Sequence, residues 1–148
     1  MARPYLGGSS AGSVAIDAAT TLTPADSGKM FFITDSGSAG YTITLPTPSN
    51  AGAGWNAKFI VNCAAGSTLS NSGGEDVVFN DGQTDVMVTH YVDAADTGAV
   101  SVVTDDASDT VGFDNTCKKG DFIELYTDGS IWFAYGISGA DGGILVAT

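Results

Sequence analysis

Gly120-Asp121-Phe122-Ile123-Glu124-Leu125-Tyr126-Thr127-Asp128-Gly129-Ser130-Ile131-Trp132-Phe133-Ala134-Tyr135-Gly136-Ile137-Ser138-Gly139 is the stretch that decides the fold class. Asp128-Gly129 is a two-residue turn signal, because both positions tolerate positive φ, and it separates two runs rich in β-branched and aromatic residues. Such a turn sets Thr127 opposite Ser130, Leu125 opposite Trp132 and Phe122 opposite Tyr135. Alternation then places Phe122, Glu124, Tyr126, Ile131, Phe133 and Tyr135 on one face, and Ile123, Leu125, Trp132 and Ala134 on the other. Both faces are apolar. A sheet in a monomeric sandwich normally keeps one face wet, so the second needs a cover: another sheet of the chain, a second subunit or a ligand. The aromatic content favours a subunit. The expected oligomer contacts are Phe122, Glu124, Tyr126, Ile131, Trp132, Phe133 and Tyr135.

Working outward, the same grammar repeats. Tyr41-Thr42-Ile43-Thr44-Leu45 alternates cleanly and is stopped by Pro46 and Pro48, which cannot donate to a ladder. Trp55, Ala57, Phe59 and Val61 form the inward set of another strand, with Asn56, Lys58 and Asn62 outward. Met30–Thr34 follows the turn Asp26-Ser27-Gly28. Further strands are expected at 76–80, 85–92, 99–104, 110–114, 121–127, 130–137 and 144–147. Twenty glycines and many Ser, Thr and Asp residues punctuate them. The expectation is an all-β domain, a sandwich or barrel of about ten short antiparallel strands over residues 21–148. No fixed-period repeat is found, which disfavours a solenoid or propeller.

Residues 1–20 differ. Gly7-Gly8-Ser9-Ser10-Ala11-Gly12-Ser13 has linker composition, so residues 1–20 are expected to form an extended arm with Arg3, Pro4, Tyr5 and Leu6 as its anchor. The N-terminus has one basic residue and no apolar core segment, so no secretory signal is expected. No window approaches the ~18 apolar residues of a membrane span.

The chain of 148 residues has 17 Asp+Glu against 5 Lys+Arg, a net charge of -12. Phosphate backbones and anionic lipids are bound by clustered cations. This composition therefore excludes direct nucleic-acid or membrane-surface binding as an expectation. Two cysteines, Cys63 and Cys117, make no disulfide framework, and cytoplasmic synthesis favours free buried thiols.

Candidate chemistry is thin. The single histidine, His90, lies on a strand with Val86, Val88 and Val92, with neither nucleophile nor orienting carboxylate nearby in sequence. Asp81/Asp85, Asp93/Asp96 and Asp105/Asp106/Asp109 sit in turns, where Asp serves the backbone, and they form no recognised cation loop. Only Glu75 and Glu124 are glutamates, and Glu124 amid aromatics reads as a partner for Lys or Tyr across an interface. Gly7-Gly8 and Gly52-Ala53-Gly54 lack the strand–turn–helix setting of a phosphate or dinucleotide loop. No catalytic residue, metal or cofactor is expected.

Leu22-Thr23-Pro24-Ala25-Asp26-Ser27-Gly28-Lys29-Met30-Phe31-Phe32-Ile33, then Tyr41–Pro46 and Gly54–Val61, together with the closing hairpin 120–139, resemble small virion proteins of tailed bacteriophages. Within that group the short chain with an arm is similar to capsid decoration (cement) proteins. The resemblance implies a non-enzymatic homotrimer made in the host cytoplasm. It would sit on the capsid exterior, contact the major capsid protein through the arm and stabilise the head. A glycan- or receptor-binding module of a tail or fibre is the alternative, marked by exposed aromatics such as Trp55, Tyr91 or Trp132. A small surface hydrolase would need His90 or Glu124 beside a second carboxylate.

Overall fold

The computed structural model describes residues 13–34, 40–65, 67–69, 76–84, 86–94 and 100–147, with the backbone alone at 100–106. Twelve strands run in chain order: β1 (Ser13–Ile16), β2 (Thr20–Thr21), β3 (Lys29–Ile33), β4 (Tyr41–Thr44), β5 (Asn56–Val61) and β6 (Val77–Asn80), then β7 (Met87–Ala94), β8 (Val100–Ser108), β9 (Thr110–Phe113), β10 (Phe122–Thr127), β11 (Trp132–Ile137) and β12 (Ile144–Ala147). One helical turn, α1 (Pro48–Ala51), follows β4. A seven-stranded sheet of order β1-β3-β5-β10-β11-β7-β8 packs on a five-stranded sheet of order β12-β9-β6-β4-β2. The expected all-β sandwich is the fold.

Its strands are not uniformly antiparallel. Five of the ten described pairings are parallel: β1–β3, β3–β5, β2–β4, β4–β6 and β11–β7. The cause is the path of the chain. From β1 to β6 it passes from one sheet to the other at every step, so each return to a sheet runs in the same direction as the last. This is a short winding of the solenoid kind. Its returns are 17 and 28 residues apart on one sheet (Ser13↔Met30, Lys29↔Ala57) and 23 and 36 on the other (Thr20↔Ile43, Tyr41↔Val77). With no constant period, the sequence carries no repeat to find.

The sandwich also begins earlier than residue 21. Ser13–Ile16 pairs with β3, the Tyr41 hydroxyl donates to the Ile16 carbonyl at 3.0 Å, and Thr34 N donates to the same oxygen at 2.9 Å. Ile16 and Leu22 are buried. Residues 1–12, with Arg3, Pro4, Tyr5 and Leu6, lie outside the described residues.

The hairpin has a four-residue loop instead of two. Thr127 pairs with Trp132, Leu125 with Ala134 and Phe122 with Ile137. The Asp128 carboxylate caps the loop by accepting from Ser130 N at 2.7 Å and Ile131 N at 3.1 Å. Thr127 Oγ1 donates to the Ile131 carbonyl at 2.6 Å, and Gly129 takes φ 93°. These side-chain bonds satisfy a wider turn than the dipeptide alone suggests. The register slips by two residues, an even number, so every residue that stays paired keeps its expected face, while Ile131 falls in the loop.

Between the sheets, Phe59 holds the centre. Its ring stacks on Phe31 with centroids 5.1 Å apart and meets Phe79 of the opposite sheet at 4.5 Å; Phe79 in turn meets Phe113. Near the hairpin, Trp132 and Trp55 pack edge to face at 5.1 Å, a favoured arrangement of ring quadrupoles. At the other end of β10, Asp121 ties three segments together. Its carboxylate accepts from Lys118 N, Ser138 Oγ and Gly139 N at 2.8–3.0 Å. Both cysteines are free and buried. Burial pushes the Cys117 thiol far above its ordinary range, and the S–H donates to the Gly143 carbonyl. It is held as a hydrogen-bond donor, not as a thiolate nucleophile.

Candidate functional site

The seven-stranded sheet turns one face to the core; the side chains of its other face stand in three cross-strand rows. The first row is Phe32, Ile60, Phe122, Ile137 and Val92, the second Met30, Lys58, Glu124, Tyr135 and His90, and the third Asn56, Tyr126, Phe133 and Val88. One row is apolar throughout, and three aromatic rings lie in the other two. Met30 (41%), Tyr126 (40%), Tyr135 (46%) and Ile137 (49%) are exposed. No described element packs over them. A second apolar face, expected from the hairpin alone, thus extends across five strands and is open.

A shallow groove of about 320 Å³ runs along this face, between apolar Val92, Phe122 and Ile137 on one side and His90, Glu124 and Tyr135 on the other. His90 and Tyr135, opposite each other on β7 and β11, stack with centroids 5.8 Å apart and planes 21° apart. Tyr126 meets Tyr135 edge-on at 6.1 Å.

The polar groups of the face are tied to each other. Lys58 Nζ donates to Glu124 Oε1 at 2.7 Å and lies 3.8 Å from the Phe122 ring centroid; the Tyr126 hydroxyl donates to Glu124 Oε2, also at 2.7 Å. Glu124 therefore has the Lys and Tyr partners its setting suggested, but both come from its own chain. The Lys58 and Tyr126 hydrogen bonds hold the carboxyl below its ordinary range against the opposing effect of partial burial. The bond to a carboxylate raises the Tyr126 hydroxyl. Because the folded pKa of Glu124 lies below its unfolded value near 4.5, its contribution to stability is complete above that pH. It is lost as pH falls through the folded value. Both partners are about 30% exposed, so the effect is small, about 0.5 kcal/mol. Urea midpoints of wild type and Glu124→Gln should run parallel above pH 4.5 and converge as the pH falls below it; curves equidistant at every pH would contradict the pairing.

The structure sorts the sequence candidates. Phe122, Glu124, Tyr126, Phe133 and Tyr135 stand on the open face. Trp132 does not: it is 0% exposed, on the core side of β11, and cannot touch a second chain. Ile131 belongs to the loop and is half-buried. Trp55 is buried as well, its indole N–H donating to the Thr23 carbonyl at 3.2 Å, so neither tryptophan offers an exposed platform. His90 and Glu124 do share the groove, yet Glu124 is the one carboxylate among its described lining residues. Asp81 accepts from Gln83 N in a turn, but Asp93, expected in a turn, lies in β7 and accepts from the distant Gly142 N, and Asp105 and Asp106 lie in β8; no group of three metal-ligating side chains occurs among the described residues. The members that sequence reasoning missed are Met30, Phe32, Ile60, Val88, Val92 and Ile137. Parity within Met30-Phe31-Phe32-Ile33 is ambiguous because every position is apolar, and only pairing with β5 assigns it.

Comparison of the chain with protein-family models, with curated proteins and with solved structures finds no match.

Proposed function

We propose that this chain is a non-enzymatic assembly protein, and more specifically a decoration protein that binds the exterior of a tailed-phage head as a homotrimer and stabilises it. The observation that carries the reading is the open face of the seven-stranded sheet. Contiguous exposed apolar patches of several hundred Å² mark interaction surfaces, and this one is ringed with aromatic side chains, as interface cores are. The resemblance of residues 22–61 and 120–139 to small virion proteins supplies the location. Physical considerations agree with it. A net charge of -12 suits a shell exposed to solvent and opposes proximity to packaged DNA. Trimeric valency multiplies the strength of each weak contact with the major capsid protein.

The test is binding to heads that lack this protein. Added to them, it should saturate a fixed number of lattice positions, appear there as density on the outer surface in particle images, and raise the temperature at which heads release DNA. Heads that neither bind it nor gain stability would overturn the capsid assignment. Tyr135 and Glu124 of the groove, with Tyr126 beside them on the same face, favour one second reading, a glycan-binding module of a tail or fibre: ring faces beside a carboxylate suit a sugar. Glycan binding without head binding would put that reading first.

A further inference from the structure

We propose that residues 3–6, Arg3-Pro4-Tyr5-Leu6, for which the resemblance implies a contact with the major capsid protein, dock instead in the outer-face groove of a second copy of the chain, so that the oligomer is held by exchanged arms. The proposal rests on reading the open face as the assembly surface and names what fills it.

The first argument is where the arm is tethered. Residue 12 precedes Ser13, which pairs with Met30 at one edge of the same sheet, in line with the row Met30, Lys58, Glu124, Tyr135, His90. The arm therefore leaves the fold at the margin of the face that needs covering. The second is area. Five strands about 4.8 Å apart and three rows about 6.8 Å apart make a surface of about 400–500 Å², against about 800 Å² per partner in a stable interface. Contact between flat faces alone falls short, and an inserted segment carrying Tyr5 and Leu6 adds to it; one buried aromatic contributes about 150–250 Å². The third is charge. Residues 1–12 hold Arg3 and no acid, whereas residues 13–148 have a net charge of -13 once Arg3 is set aside from the -12 of the whole. The arm is cationic and free of acid, and the body it would dock on is strongly acidic. The fourth is stiffness: Pro4 fixes its own φ and biases Arg3 toward extended backbone, which lowers the cost of ordering the anchor.

Exchange between copies is preferred to folding back. The groove lies three to five strands from β1, about 14–24 Å away. The six-residue link Gly7–Gly12 spans about 13 Å as a flexible coil and about 20 Å when fully drawn out. Docking on its own sheet would stretch the link almost to its limit, and would leave a monomer with its apolar face already satisfied.

The experiment compares the self-association constant of the full chain with that of Tyr5→Ser/Leu6→Ser, and tests a Leu6→Cys/Ile137→Cys chain for cross-linking under mild oxidation. The native thiols are buried, and each chain carrying only one of the two added cysteines serves as a control. Expected are a tenfold or larger weakening of association by the arm variant and disulfide-linked oligomers on a non-reducing gel. If the wild type associates, Ile137→Asp disrupts it, and yet the arm variant associates as tightly as wild type with no link between chains, arm exchange is overturned while the face reading stands. A link formed within one chain would overturn exchange in favour of self-docking. A wild type that does not associate at all removes the face reading itself.

Discussion

Trp132→Ala is expected to destabilise the protomer by about 3–5 kcal/mol and to lower its melting temperature by about 10 °C or more. Trp132 is the largest fully buried side chain, and its indole is the edge-to-face partner of Trp55. Trp55 in turn bonds the Thr23 carbonyl, so the pair joins the start of β11 to the segment ahead of β3. Truncation leaves a cavity that a rigid sheet fills poorly, and small domains have only about 5–15 kcal/mol in total. The measurement is urea denaturation at a concentration low enough to keep the chain monomeric. A loss below about 1 kcal/mol would contradict the placement of this ring in the core. The effect acts on folding, and any loss of association follows from it.

Ile137→Asp is expected to do the reverse. Ile137 is half exposed at the end of β11, in the apolar row with Phe122 and Val92. Within the protomer the change costs little, within about 0.5 kcal/mol, as at other exposed positions. Across an interface it places an unpaired carboxylate against apolar side chains, on a chain already strongly acidic, and should weaken self-association by at least about a hundredfold. Equal monomer stability with lost association is the predicted result. Unchanged association would move the interface elsewhere on the surface. The contrast between Trp132 and Ile137, at the two ends of β11 and on opposite faces of it, separates core from contact surface.

How far the sequence carried the structure differs from element to element. Period-two alternation is a local property, and where it is clean, as in Tyr41-Thr42-Ile43-Thr44, strand and facing are readable directly. The hairpin faces survived an incorrect loop length because a slip of two preserves parity; Asp128 and Thr127 side chains, which widen the turn, leave no distinct trace in a dipeptide rule. Strand direction was not readable. Whether neighbours are parallel depends on which sheet each segment joins, a long-range outcome, and the uneven returns from β1 to β6 conceal the winding. β1 was missed because Ser13-Val14-Ala15-Ile16 is short, adjoins a glycine-rich link and is mostly exposed; its pairing comes from β3. For the candidate site, half the face was visible in one hairpin. The other half needed the registers of β3, β5 and β7 to bring Met30, Ile60 and Val92 beside it.

Sedimentation of the purified wild-type chain over a range of concentrations tests most directly whether the open face exists to be covered by another chain. A trimer that persists into the micromolar range and dissociates on Ile137→Asp is the result predicted here. A wild type that stays a well-folded monomer at every concentration would contradict it.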